Sequence, residues 1–203
     1  MSNVQLYNQD CMEAMAKMKD KEFELAIVDP PYRDENQPTK DMRANGSMKS
    51  LTGRPQKQYW TELLRVSKAQ IVWGANNFSM EQFKGFIVWD KDIPFNFTMS
   101  MAEIASLSEN LGTVSKIYRH RAAGSENRIH PTQKPIALYQ WLLKNYAKPG
   151  DRILDTHLGS GSSAIAADIM GFDFTGYEID KDYYEAALDR FNRHKQQCVL
   201  EFA

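Results

Sequence analysis

Cysteine is scarce in this chain, long apolar runs are missing, and neither sign of charge dominates. The 203 residues hold two cysteines, Cys11 and Cys198. Two thiols that far apart form neither a disulfide framework nor the clustered spacing of a zinc site. The expectation is a reduced, cytosolic protein without a metal. No apolar run approaches the roughly 20 residues that a membrane span needs. Met1-Ser2-Asn3-Val4-Gln5 lacks the basic and then apolar stretch of a signal peptide. A membrane is therefore not an expected partner. The formal net charge of -1 does not announce a polyanion binder. There is no internal repeat and no low-complexity tract. What remains is an ordinary globular composition, 42% hydrophobic and 25% charged, at a length suited to one domain with a sizeable core.

Local charge says more than the total. From Arg33 to Gln58 six basic residues (Arg33, Lys40, Arg43, Lys49, Arg54, Lys57) face three acidic ones. From Lys116 to Lys134 five basic residues, among them Arg119, Arg121 and Arg128, face one glutamate. From Asp168 to Arg190 the balance reverses, with seven acidic residues against two basic. A charge run is often only a solvated face. Two basic stretches on an otherwise acidic chain also fit a polyanion held on one side. Arg33, Lys40, Arg43, Lys49, Arg54, Lys57, Arg119, Arg121 and Arg128 are the candidates to meet it.

Periodicity alternates strand with helix. Leu25-Ala26-Ile27-Val28 reads as a buried strand stopped by Pro30. Gln58 to Val66 predicts a helix, Gln70 to Trp73 a strand closed by Gly74, and Asn76 to Lys84 a helix. Phe86 to Trp89 and Ala102 to Ser108 predict two further strands. Pro135 to Tyr146 reads as a helix with proline in its first turn, where the missing N–H costs little. Then come strand Arg152 to Asp155, helix Ser162 to Met170, strand Phe172 to Tyr177 and helix Lys181 to Lys195. The pattern implies an α/β fold with a mostly parallel sheet. Two stretches lack regular pattern, Arg33 to Lys57 and Tyr118 to Gln133. Both exceed the roughly 12–15 residues beyond which an unstructured loop is uncommon unless functional or disordered.

Two segments carry chemistry. Asp155-Thr156-His157-Leu158-Gly159-Ser160-Gly161-Ser162 joins a strand to a helix through a glycine turn. Glycine lets the backbone approach a ligand, and the exposed N–H groups of the helix start offer hydrogen bonds. By itself this is a common helix cap and tight turn. The next strand ends in Glu178-Ile179-Asp180, and an acidic residue about 20 residues after the glycines is placed to bind ribose hydroxyls. Ala164 satisfies the looser dinucleotide fingerprint, so a nicotinamide cofactor stays open on spacing alone.

The other segment is Asp29-Pro30-Pro31-Tyr32, directly after a strand. A heteroaromatic amino group is a poor nucleophile. The Asp29 carboxylate and the Pro30 carbonyl could accept its two hydrogens and favour a tetrahedral nitrogen able to attack a methyl sulfonium in line. That is positioning plus electrostatics. Pro31 fixes the turn, and Tyr32 offers a face on which an extruded base can stack. The plainer reading is a proline-terminated strand with an aspartate in a turn.

Together these residues resemble the amino-methyltransferases of DNA. Because Asp-Pro-Pro-Tyr precedes the glycine turn, the order is similar to the permuted β group. Asn8-Gln9-Asp10-Cys11-Met12-Glu13 resembles the family's acidic segment ahead of the catalytic strand. His130-Pro131-Thr132-Gln133-Lys134-Pro135 resembles the segment that closes over the methionine end of the cofactor. The resemblance implies a Rossmann-like methyltransferase fold, a twisted sheet with helices on both faces, in circularly permuted motif order. It implies S-adenosyl-L-methionine as cofactor, the N6 amino group of a flipped adenine in double-stranded DNA as target, and a bacterial or phage-infected cytoplasm. The catalytic residues would be Asp29, Pro30, Pro31 and Tyr32. Asp10, Cys11 and Asp29 would meet the cofactor from the first half, and His130, Thr132 and Lys134 from the middle. Asp155, His157, Gly159, Ser160, Gly161, Ser162, Glu178 and Ile179 would meet it from the last part.

The resemblance divides a single domain, residues 1–203, into a catalytic half (1–94), a short target-recognition insert (95–129) and a cofactor half (130–203). A short reader, weak sequence specificity and a partner that supplies it all stay open, as does a homodimer. Thr156-His157 replaces the family's proline and phenylalanine, and that phenylalanine normally packs beside the cofactor. Ser162-Ser163 replaces a threonine pair. Cytosine N4 is the alternative target, but members acting there more often begin the tetrapeptide with serine, so Asp29 favours adenine. A non-catalytic nucleic-acid-binding protein on the same fold is the alternative from another class.

Overall fold

The computed structural model describes residues 2–32, 35–36, 51–78, 83–94, 96, 100–121 and 128–201. The described residues form ten strands and five α-helices. In chain order they are β1 (Val4–Asn8), α1 (Cys11–Met15), β2 (Phe23–Val28), β3 (Glu35–Asn36), β4 (Leu51–Thr52), α2 (Lys57–Val66) and β5 (Ser67–Trp73). Then follow β6 (Phe83–Asp90), β7 (Ala102–Ser108), β8 (Lys116–Arg119), α3 (Ile136–Tyr146), β9 (Arg152–Asp155), α4 (Ser162–Met170), β10 (Asp173–Glu178) and α5 (Lys181–Glu201). None of the described helices is long and apolar enough to cross a membrane.

Eight strands form one sheet in the order β1-β10-β9-β2-β5-β7-β6-β8, while β3 and β4 make a separate two-stranded ladder. All neighbours are parallel except β7, which runs antiparallel to both β5 and β6. Period-two alternation sends the side chains of β2 to two different cores. Leu25 and Ile27 join the face covered by α3 and α4, with Leu138, Leu142, Ile165 and Ala166. Ala26 and Val28 join the face covered by α1 and α2, with Met15, Tyr59, Leu63 and Val66. Helices therefore cover both faces of a mostly parallel sheet, the expected fold class.

β2 and β9 lie side by side in the middle. From β2 the chain continues to β5 on one side, and from β9 to β10 on the other. Where strand order diverges, the carboxyl ends open a crevice. Asp29 follows β2 and Asp155 ends β9, so the two chemistry-bearing segments flank the same gap.

Several expectations need correction. β1 and β8 carry only short alternating patterns and were not expected; each forms an edge, against β10 and β6. The helix expected over Asn76 to Lys84 is not formed where the structure describes it. Ala75–Asn77 is a single 3-10 turn, and β6 already begins at Phe83. Glu35–Asn36 and Leu51–Thr52 pair within the first irregular stretch. The second irregular stretch begins inside β8. Residues 95–129 also contain β7, a strand within the main sheet.

Candidate active site

A cavity of about 660 Å³ opens at the switch point. All four residues of the tetrapeptide line it. So do Asp10, Cys11, His130, Thr132, Lys134, His157, Gly159, Ser160, Glu178 and Ile179. Asp155, Gly161 and Ser162 are not at the wall. They hold it from behind, because the turn folds over them. Asp155 accepts hydrogen bonds from Ser163 Oγ at 2.6 Å and from the His157 N–H at 3.0 Å. Gly161 sits at φ +72° with the Ala187 Cβ 3.3 Å from where its own Cβ would lie. Ser162 Oγ accepts from Arg190, which also donates to the Ser160 carbonyl, both at 2.8 Å. Arg190 thus braces the glycine turn from α5, a role that no local motif signals.

Around the glycine turn and the start of α1, carboxylates accept backbone N–H groups. Asp10 caps α1 by accepting the Met12 N–H at 2.8 Å. Glu178 accepts the Gly159 N–H at 2.9 Å and the Asp180 N–H at 3.0 Å, tying the end of β10 to the glycine turn. Burial raises the Glu178 pKa above the usual carboxylate range, against the pull of those two N–H groups. Burial also pushes the Cys11 thiol up to about 12, so it is a neutral wall residue. His130 packs edge-on against Tyr183 at 4.5 Å, and burial carries its pKa down to about 4.

The Thr156-His157 departure closes a polar relay. Tyr59 Oη lies 2.6 Å from Thr156 Oγ1, which lies 2.9 Å from His157 Nδ1. Every hydroxyl is satisfied if Tyr59 donates to Thr156 and Thr156 donates to Nδ1. Burial carries the His157 pKa down to about 4, so the ring is neutral and its proton then sits on Nε2. The ring packs edge-on to Tyr59 at 5.3 Å. Tyr59, Trp60, Phe78 and Tyr32 continue that contact as a chain of edge-to-face rings to the tetrapeptide.

On the catalytic side Tyr32 Oη donates to Asp29 Oδ1 at 2.7 Å. Burial, then the Asp29 and Glu103 carboxylates, hold the phenol protonated well above its usual range. The ring fits only because residue 74 is glycine. A Cβ there would lie 2.1 Å from Tyr32 Cε1, and φ is +72°. Gly74→Ala is expected to cost roughly 1–3 kcal/mol through overpacking and backbone strain. Urea unfolding checks this, and unchanged stability would place the Tyr32 ring elsewhere.

Lys134 lines the cavity as well. Its ammonium is buried, donates to Asp29 Oδ2 and lies 3.0 Å from Glu103 Oε2. Glu103, Lys91, Trp73 and Trp89, which complete this cluster, were not among the site residues expected from sequence. Of the basic candidates, Arg54 lines the cavity rim, donates to the Asn77 carbonyl at 2.7 Å and lies over Phe78. Arg119 is paired with Asp90 at 2.8 Å. Lys57 starts α2, and Lys57 and Arg121 are exposed, while Arg128 is half-buried. Arg33, Lys40, Arg43 and Lys49 lie outside the described residues.

Sheet order, the antiparallel β7 and a crevice that faces both β2 and β9 define the Rossmann-like methyltransferase fold. The chain belongs to the DNA methylase family of N6 and N4 type, whose model matches residues 7–189. It is 36% identical over 67 residues to the type II methyltransferase M2.DpnII of Streptococcus pneumoniae, a stretch covering 33% of this chain and 25% of that protein. The aligned stretches span only 25% to 29% of the first curated relatives. Among solved structures, the M1.HpyAVI complex with S-adenosylmethionine (SAM) superposes with a TM-score of 0.63 at 22% identity, covering 93% of this chain and 99% of that one. The cytosine-N4-specific PvuII DNA methyltransferase superposes at 0.66 with 12% identity, covering 96% and 93%.

S-adenosylmethionine is the cofactor of this family, and the cavity fits it. Its volume lies in the range of small-molecule sites. Its walls pair aromatic faces (Tyr59, Tyr177, Tyr183) with the carboxylates of Asp10, Glu178 and Asp180. An acidic lining suits a cationic sulfonium, and Lys134 does not offset it because two carboxylates already hold its charge.

Proposed function

We propose that this chain transfers a methyl group from S-adenosylmethionine to the exocyclic N6 of an adenine flipped out of double-stranded DNA, as a member of the permuted β group. One observation carries the reading. Asp29 and Tyr32 line the same cavity as Glu178 and Gly159, so an amino acceptor and a ribose site share one space. When bound, the cofactor would supply an electrophilic methyl, and its transfer to the amino nitrogen would release the neutral thioether and one amino proton.

The protein's part is placement. Asp29 and the Pro30 carbonyl accept the two amino hydrogens, which turns the nitrogen lone pair toward the cofactor side. Tyr32 stacks on the base, and Pro31 fixes the turn. Glu178 takes the ribose hydroxyls, and Asp10, His130, Thr132, His157 and Ile179 line the rest. Arg54, Lys57 and Arg121, with the basic residues between 33 and 49, meet the phosphate backbone. Residues 1–94 and 130–203 act as catalytic and cofactor halves. Since β7 and β8 belong to the sheet, sequence reading within 95–129 falls to the connections around them, or to a partner or second copy.

Incubation with unmethylated DNA and cofactor, followed by nucleoside mass spectrometry, tests the reading. N6-methyladenine is expected. N4-methylcytosine would move the target to cytosine, and no methylated nucleoside would leave a nucleic-acid-binding protein on a methyltransferase fold.

A further inference from the structure

Four charged residues from four different elements alternate in sign across the carboxyl edge of the sheet. Asp29 follows β2, Lys134 precedes α3, Glu103 sits near the start of β7, and Lys91 follows β6. The antiparallel run of β7 is what brings its first residues to this edge. Lys91 Nζ lies 2.6 Å from Glu103 Oε1, and Lys134 Nζ lies 3.0 Å from Glu103 Oε2 and bonds Asp29 Oδ2. Each ammonium also faces an indole: Lys134 lies 5.3 Å from the Trp73 ring centre, and Lys91 lies 5.2 Å from that of Trp89. The two indoles meet edge to face.

The Lys134 side chain is only 1% exposed. Burial opposes its charge, but Asp29 and Glu103 hold the ammonium above its ordinary pKa. Burial likewise raises Glu103, yet Lys134 and Lys91 outweigh it and bring that carboxyl down to about 2. Lys134 and Glu103 are therefore held in their charged forms. A buried ammonium held by two carboxylates has little capacity left for a ligand carboxylate. What it can do is fix Asp29. With Oδ2 on Lys134 and Oδ1 on Tyr32, both carboxylate oxygens are oriented. A carboxyl oxygen has two acceptor positions, so Oδ1 keeps one for an incoming N–H.

We propose that Lys134 is a positioning residue for Asp29, backed by Glu103, rather than a contact of the cofactor. The inference rests on the methyl-transfer reading above. Positioning acts on the reaction step, because a misplacement of about 1 Å costs on the order of 100-fold in rate. Cofactor contact would act on affinity instead.

The test compares wild type, Lys134→Met, Lys134→Arg and Glu103→Gln. Calorimetry gives the S-adenosylmethionine Kd, and single-turnover methylation of DNA at saturating cofactor gives the rate. Lys134→Met is expected to slow transfer on the order of 100-fold while Kd stays within a few-fold. Lys134→Arg should regain part of the rate, and Glu103→Gln should show the same split more weakly. If Lys134→Met fails to fold, Lys134→Arg carries the test, since a planar guanidinium keeps the charge and shifts the carboxylate. A Kd that weakens in step with a recoverable rate, or an unchanged rate, overturns the proposal. Wild type that transfers no methyl group overturns the function reading itself, and the proposal with it.

Discussion

Asp29→Ala is expected to slow methyl transfer by at least about 10²–10³-fold, the usual loss when a preorganised electrostatic partner of the reacting group is removed. Asp29 touches both Tyr32 and Lys134 at the cavity wall. Under the proposed function, its removal takes away the acceptor for the substrate amino group and frees the Tyr32 hydroxyl together. The fold should survive, because Lys134 keeps Glu103 as a partner. Cofactor affinity should change little, since Glu178 and the glycine turn are bonded to each other and not to Asp29. Asp29→Asn keeps one acceptor oxygen and should fall between wild type and alanine. Adding Lys134→Met to Asp29→Ala should cost little more rate, because residues that act as a unit are not additive. Nucleoside mass spectrometry over a time course measures all three. Turnover retained in Asp29→Ala would mean that Asp29 does not hold the amino group.

What could be read from the sequence was what is local. A proline-stopped strand, a glycine turn between strand and helix, and an acidic strand end each fit within about ten residues. Their elements formed with closely matching bounds, and Ala102–Ser108 and Ser162–Met170 agree at both ends. The edges were harder. β1 and β8 are short, and Ile117 on β8 is 71% exposed, so little apolar patterning marks either one. The segment after Gly74 looked helical, but where it is described it holds a 3-10 turn at Ala75–Asn77, and Phe83 already belongs to β6.

The side-chain network was the least legible part. Asp29, Lys91, Glu103 and Lys134 come together only because of strand order and because β7 reverses direction. No spacing in the sequence encodes that. The motif around Lys134 was recognised, but the bond from its ammonium to Asp29 was not foreseen. Arg190 follows the same logic, since it reaches back from the last helix to a turn some thirty positions earlier.

Asp155 gives the protein a pH dependence that can be isolated. Its side chain is buried under the glycine turn, and burial raises its pKa from 3.8 to about 7, with Ser163 and the His157 N–H opposing and Asp29 and Glu178 adding to the rise. Below the lower value the carboxyl is protonated in folded and unfolded chains alike. Between the two values only the folded chain keeps the proton. Stability contributed by the neutral form is therefore complete at acid pH and is lost as pH rises toward 7. A gap of about 3 pH units corresponds to roughly 4 kcal/mol. His130 and His157, both carried down to about 4, act in the opposite direction over part of this range, because they gain protons on unfolding as pH falls. The total curve thus mixes signs, but the difference between wild type and Asp155→Asn does not. Asparagine can still accept from the His157 N–H and can donate to Ser163, without a charge. In urea melts without cofactor, Asp155→Asn should match or trail wild type near pH 4 and exceed it by a few kcal/mol at pH 8. Parallel pH profiles for the two proteins would show that Asp155 is ionised in the fold at little cost, and that the glycine turn does not seal it from water.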